Sequence, residues 1–215
     1  MRYLLLCCLL LTGCITVDPH AEKAAEKARQ IEANRPKGEF ATINSETTDR
    51  AVYNLQNGDY RAMEEVLTDP NAFAPPALFA LAEQLYDQGE IEPALFWFYT
   101  AQLRARSDAN KSLDATTQAG VTQLTEQFGK NINQYAFSHP NEMATAVQRA
   151  LEWDKQTKRF YNVYWVALYG ADSRVKEHIE FKPKEQWSQI DTETRDGFAK
   201  GLQQLLDKLP QAPAQ

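Results

Sequence analysis

Residues 75–106 read PPALFALAEQLYDQGEIEPALFWFYTAQLRAR, and this stretch decides the fold. Leu78, Leu81, Ala82 and Leu85 recur at helical spacing and make one apolar stripe. Gly89 follows, where a helix end favours a residue that tolerates positive φ. A second helical pattern begins at once with Ile91, Ala94, Leu95, Phe98, Ala101 and Ala105, and Pro93 falls in its first turn. Two helices with so short a connection fold back as a hairpin. Phe96, Trp97 and Tyr99 make the second helix apolar on most sides, which places it at the centre of the domain.

Outward from this hairpin the chain stays helical in pattern. Thr48-Asp49 opens a short helix ended by Asn57-Gly58, and Asp59 caps the next, with Met63, Val66 and Leu67 inward. Residues 108–111 read as a polar turn. Leu113, Val121, Leu124 and Phe128 suggest a helix stopped by Gly129, with a separate short helix over 131–138. Asn141 begins a further helix, with Met143, Val147, Ala150 and Leu151 on one side. Thr192 to Lys208 is amphipathic through Phe198, Leu202, Leu205 and Leu206. Arg159 to Tyr169, RFYNVYWVALY, is dense in aromatic and β-branched residues, but no second strand pattern stands near it. A lone strand leaves backbone groups unpaired, so we expect an ordered aromatic segment packed on the helices.

Ala80-Leu81-Ala82, Leu85-Tyr86, Gly89, Ile91, Pro93-Ala94-Leu95, Trp97 and Ala101 together resemble one Sel1-like or tetratricopeptide-like unit. That resemblance covers about one repeat length and implies an all-α domain that binds other proteins.

The amino end carries a second resemblance. Met1-Arg2 gives a basic start, Tyr3 to Leu11 a short apolar run, and Leu11-Thr12-Gly13-Cys14 is similar to the lipobox of bacterial lipoprotein signal peptides. The resemblance implies cleavage before Cys14 and acylation of its sulfur and new amino terminus, which anchors the chain to a membrane. Several acyl chains hold where one does not. Cys7 and Cys8 leave with the signal, so the mature chain has no free thiol and no disulfide. Ile15 stands where Asp would imply inner-membrane retention, so the resemblance implies the outer membrane, facing the periplasm.

The resulting domain plan is a signal peptide over 1–13, a lipidated tether over 14–47, an α-helical repeat-like domain over 48–209 and a disordered tail over 210–215. In the tether, Ala21 to Ala33 has helical propensity but almost no apolar stripe, which makes it a solvated spacer. Arg35 to Glu46 reads as a linker.

The chain has 215 residues, hydrophobic content of 43% and a net charge of −6, enough for a sizeable core. The acidic balance argues against nucleic acid and against electrostatic adhesion to anionic lipid. His20, His139 and His178 are scattered, with no second ligand at metal spacing, and no cofactor motif is present. Of the carboxylate pairs, Glu64-Glu65 and Glu152 with Asp154, neither has the look of a glycosidase pair, since neighbours on a helix point apart. A peptidoglycan-acting enzyme is the reading of a different class.

The stronger lead is an aromatic set: Trp153, Asp154, Tyr161, Tyr164 and Trp165, flanked by Lys155, Lys158 and Arg159. Aromatic and arginine side chains dominate binding hot spots. We expect Trp153, Asp154, Arg159, Tyr161, Tyr164 and Trp165 either to face a protein partner or to plug the end of the helical stack, different members doing different things. A lipidated small helical-repeat protein also loosely resembles immunity partners of type VI phospholipase effectors. That implies a toxin-neutralising role, with a scaffold or assembly factor of an envelope complex as the alternative.

Overall fold

The computed structural model describes residues 19–33 and 35–208. The chain divides between Arg35 and Pro36 into two compact units. Cys14 and the rest of the lipobox lie outside the described residues, as do positions 210–215.

The first unit contributes one described helix, α1 (Pro19–Ala33), in which Glu22 to Gln30 and Glu32 are all exposed. A helix rich in Ala, Glu, Lys and Arg forms on propensity and needs no partner face.

The second unit is all-α, and no strand occurs among the described residues. Its helices are α2 (Glu46–Gln56), α3 (Tyr60–Thr68), α4 (Pro75–Asp87), α5 (Ile91–Lys111), α6 (Thr117–Ser138), α7 (Pro140–Gln156) and α8 (Trp187–Leu206). Helix α5 is central, with α4, α6, α7 and α8 packed around it. Leu95, Trp97, Phe98, Tyr99, Ala101, Leu103 and Ala105 are all buried on it, as an all-round apolar sequence requires. Helix α4 is also buried on every side through Ala77 to Ala82. Of the inward set expected on α3, Leu67 is exposed, while Met63 and Val66 are buried.

Gly89 closes the α4–α5 turn at φ +83°. Its N–H donates to the Tyr86 carbonyl (2.9 Å) and the Glu90 N–H to the Leu85 carbonyl (2.9 Å), the two bonds of a Schellman motif. Gly58 closes α2 in the same way. Gly89→Ala is therefore expected to cost about 1–2 kcal/mol through the left-handed backbone alone, since its added methyl group would meet open space. A lower denaturant midpoint at unchanged slope checks it.

Three expectations change. The polar turn over 108–111 is the last turn of α5, with Asp108 and Lys111 buried. Gly129 does not stop a helix, and α6 runs through it to Ser138. A methyl group there would sit 2.3 Å from Phe98 Cζ, so the glycine serves the close approach of α6 to α5. The linker over 35–46 belongs largely to the second unit: a 3₁₀ turn, Gly38–Thr42, buries Phe40, and Ile43 follows it into a small apolar cluster with Ala167. The compact unit thus begins at Pro36, ahead of the boundary expected at Thr48.

The aromatic segment forms a 3₁₀ helix over Val163–Tyr169, capped by the Asn162 side chain, which accepts from Tyr164 N–H (2.9 Å). It lies against α5 and α6 with Trp165 and Val166 buried. Beyond it, residues 180–182 run beside the end of α5: Leu113 N–H donates to Glu180 and Lys182 N–H to Lys111, both at 2.8 Å. Residues 177–179 are tied to the strap formed by residues 36–45 by Glu39 N–H donating to Glu177 (2.7 Å) and Ile179 N–H donating to the Glu39 carboxylate (2.8 Å).

Candidate functional site

Helix α5 changes character at Arg104. From there Arg104, Asp108 and Lys111 follow at i, i+4 and i+7, one charged face on a helix whose first half is mostly apolar. All three are buried, so each needs partners.

Asp154, on the last turn of α7, supplies the first. Its Oδ1 takes Arg104 Nε (3.0 Å) and Arg159 Nη2 (3.1 Å), and its Oδ2 takes Arg195 Nη1 (3.0 Å). Arg104 also donates from Nη2 to Asn71 (3.0 Å) and Thr157 (2.9 Å), and its guanidinium lies 4.3 Å over the Trp153 ring. Asp108 accepts from Lys111 (3.2 Å), Arg159 Nη1 (2.9 Å), the Tyr161 hydroxyl (2.9 Å) and the Trp165 indole N–H (2.9 Å). Asp191, from the first turns of α8, takes Lys111 (2.7 Å), Arg159 (3.0 Å) and the Ser107 hydroxyl. Four cations thus interlock with three carboxylates, and Arg159 touches all three acids.

Burial alone would raise the Asp154 pKa, but the charges of Arg159 and Arg104 and the hydrogen bonds from Arg195 and Arg159 outweigh it and hold it below the usual carboxylate range. For Arg159 burial opposes the charge, and the surrounding oxygens of Tyr161, Asp108, Asp154 and Asp191 more than offset that, so its pKa rises. Burial, with Asp108 beside it, pushes the Tyr161 hydroxyl well up and keeps it a donor. A carboxyl depressed on folding stabilises the native state in full above its unfolded pKa near about 4, and that contribution goes as pH falls through the lower folded value. Stability is expected to fall on acidification below roughly pH 4, and Asp154→Asn to flatten that slope. Urea midpoints across the acid range check it.

This network is the floor of an open groove of about 610 Å³ between the end of α7, residues 157–164 and the start of α8. Six cations line it, Lys111, Lys155, Lys158, Arg159, Lys184 and Arg195, against two carboxylates, Asp154 and Asp191. Both acids are taken up by the network below. Lys155, Lys158 and Lys184 are exposed and have no carboxylate partner among the described residues. A chain of net charge −6 thus concentrates positive charge in one concavity. Tyr164 and Trp187 form its aromatic wall, their ring centroids 5.9 Å apart, with Lys184 Nζ 5.9 Å from the Trp187 centroid.

The six residues singled out from sequence gather here but divide in role. Tyr161, Trp165 and Asp154 are buried, and Trp153 packs edge-on against Trp97 at 5.3 Å. Arg159 and Tyr164 reach the groove, as do parts of Asp154 and Tyr161. Sequence reading missed Arg104, Asp108, Lys111, Lys184, Trp187, Asp191 and Arg195. The charged i, i+4, i+7 continuation of α5 was the available signal. Glu152, paired with Asp154 in the sequence reading, is exposed, whereas Asp154 is held by three arginines, so the two do not face one another across a cleft.

No family model matches the chain, and no solved structure matches it. It is 26% identical over 149 residues to an uncharacterized protein of Haemophilus influenzae. That match covers 67% of this chain and 58% of the relative, so the chain spans less than two thirds of that protein's length. No helix among the described residues is long and apolar enough to cross a membrane.

Proposed function

We propose that the protein is a binding module, anchored by acyl chains on Cys14 at the periplasmic face of the outer membrane, that takes an acidic segment of a protein partner in the groove above Arg159. The carrying observation is three exposed lysines without carboxylate partners, set around a floor whose own acids are all neutralised. A fixed floor leaves little to order on binding, and unpaired cations speed and orient the encounter with an acidic surface. The aromatic wall supplies the apolar contact that hot spots need. Of the two roles raised above, neutralising a secreted toxin makes the heavier demand on affinity and suits a pre-formed site better than scaffolding does.

Carbodiimide joins lysine amines directly to carboxylates and so reads this contact chemically. Applied to membranes carrying the lipidated full chain, it is expected to cross-link one partner through Lys155, Lys158 or Lys184. Lys155→Glu, Lys158→Glu and Lys184→Glu together are expected to weaken capture at least tenfold, and added salt to weaken it in the unaltered chain. Cross-links that avoid these lysines, or capture indifferent to the triple substitution, would reject the groove. Palmitate labelling that persists in Cys14→Ser would reject the anchor.

A further inference from the structure

A second cavity, of about 360 Å³, lies against the opposite part of α5, bounded by α6, α7 and α8. Its walls are apolar through Phe137, Met143, Val147, Leu202 and Leu205. Into it α5 turns Tyr99, Gln102 and Arg106, at i, i+3 and i+7 on one helix face. None of these three polar heads has a hydrogen-bond or ion-pair partner among the described residues. Gln102 and Tyr99 are only 5% and 7% exposed, and their polar heads are not among the fully buried atoms that lack a partner, so what accessibility they keep is available to a ligand in the cavity. Arg106 is exposed to solvent along part of its length, rests its guanidinium 5.3 Å from the Phe198 centroid, and is desolvated enough there for its pKa to be lowered. It is the one charged residue lining the cavity.

Across the space, Gly197 and Gly201 lie one turn apart on α8, and a methyl group on either would meet nothing within 4 Å. Two glycines inside a 20-residue helix cost helix stability, and here they hold open a trough along the apolar wall. Apolar walls with a few convergent polar groups are the signature of a small-molecule site, and this volume is at the small end of that range.

We propose that this cavity binds a single-chain amphiphile with a carboxylate head, its hydrocarbon lying along Gly197 and Gly201 and its head on Arg106, Gln102 and Tyr99. One guanidinium balances one negative charge, and its planar fork matches a carboxylate. A doubly charged phosphate ester would leave a charge unmet. The volume suits one chain rather than a two-chain lipid. This site is separate from the lysine-lined groove and does not depend on a protein partner there.

The test is calorimetric titration of dodecanoate, below its aggregation concentration, into the full chain bearing Cys14→Ser, so that no acyl group of its own competes. Saturable binding at one site is expected, with acetate failing for want of a chain and dodecanol weaker for want of a charge. Arg106→Leu is expected to weaken dodecanoate about tenfold to a hundredfold. Gly201→Leu fills the trough and is a better helix former, so it is expected to abolish binding while the melting temperature holds or rises. Absence of saturable binding, equal affinity for dodecanol, or unchanged affinity in both variants would overturn the proposal.

Discussion

Asp154→Ala is expected to destabilise the second unit by about 3–5 kcal/mol, the cost of leaving buried cations without their counter-charge. Arg104 is fully buried and ion-pairs with Asp154 alone among the described residues. Its Nη1 already lacks a hydrogen-bond partner, and the contacts that would remain, Asn71, Thr157 and the Trp153 ring, carry no counter-charge. Arg159 would keep Asp108 and Asp191, and Arg195 reaches toward solvent, so most of the loss falls on Arg104. Equilibrium unfolding followed by tryptophan fluorescence measures it. The companion is Asp154→Leu combined with Arg104→Met, which removes both charges and is expected to recover much of the loss, because a buried pair contributes little over apolar residues of similar volume. A loss under about 1 kcal/mol in the single variant would mean that water already reaches the pair.

The second large effect is at Gly129. Its α-carbon faces Phe98, whose Cζ and Cε2 would lie 2.3 Å and 2.4 Å from an added β-carbon. Phe98 cannot give way easily, being fully buried and edge-packed on Phe79 with centroids 5.8 Å apart. Phe79 in turn stacks on Phe128 at 6.2 Å, so a displacement would pass along three rings. Gly129→Leu is expected to cost about 3 kcal/mol despite leucine's better helix propensity. Gly197→Ala, where space is open, is expected to gain about 1 kcal/mol. The opposite signs of two glycine substitutions in helices, read from chemical denaturation, separate packing from propensity.

These two sites also mark where sequence reading stopped. The α4–α5 hairpin was legible because its signals are local: an apolar stripe, a glycine at the turn and Pro93 in a first turn. The order of the aromatic segment was legible by elimination, since a strand there had nothing to pair with. Gly129 was misread because glycine within a helical pattern signals an end, and the reason to keep it, Phe98, is 31 positions away on another helix. Residues 108–111 were misread because charge at a helix end normally means solvent. Partners remote in sequence, Arg159, Tyr161 and Trp165 for Asp108 and Asp191 for Lys111, turn those charges inward. The aromatic set was found as a group, yet its composition could not say that Trp165 would point in while Lys184 and Trp187, from the α8 approach, would complete the groove. Residues 36–45 carry the Pro and Gly of a linker, and their burial rests on just two side chains, Phe40 and Ile43.

The strap that holds Phe40 has a kinetic consequence. Its bonds join Glu39 to Glu177 and Ile179, about 140 residues along the chain, and the 180–182 stretch is further bonded to the tip of α5 and packed on Tyr164 and Trp187. Closing so long a loop costs entropy before any contact rewards it, whereas the α4–α5 pair closes across three residues. The hairpin is therefore expected to nucleate folding, and the strap to dock last. Until it does, Phe40 and Ile43 stay uncovered near the amino end, and the slowest refolding phase should report on Phe40 while leaving the helical signal already complete.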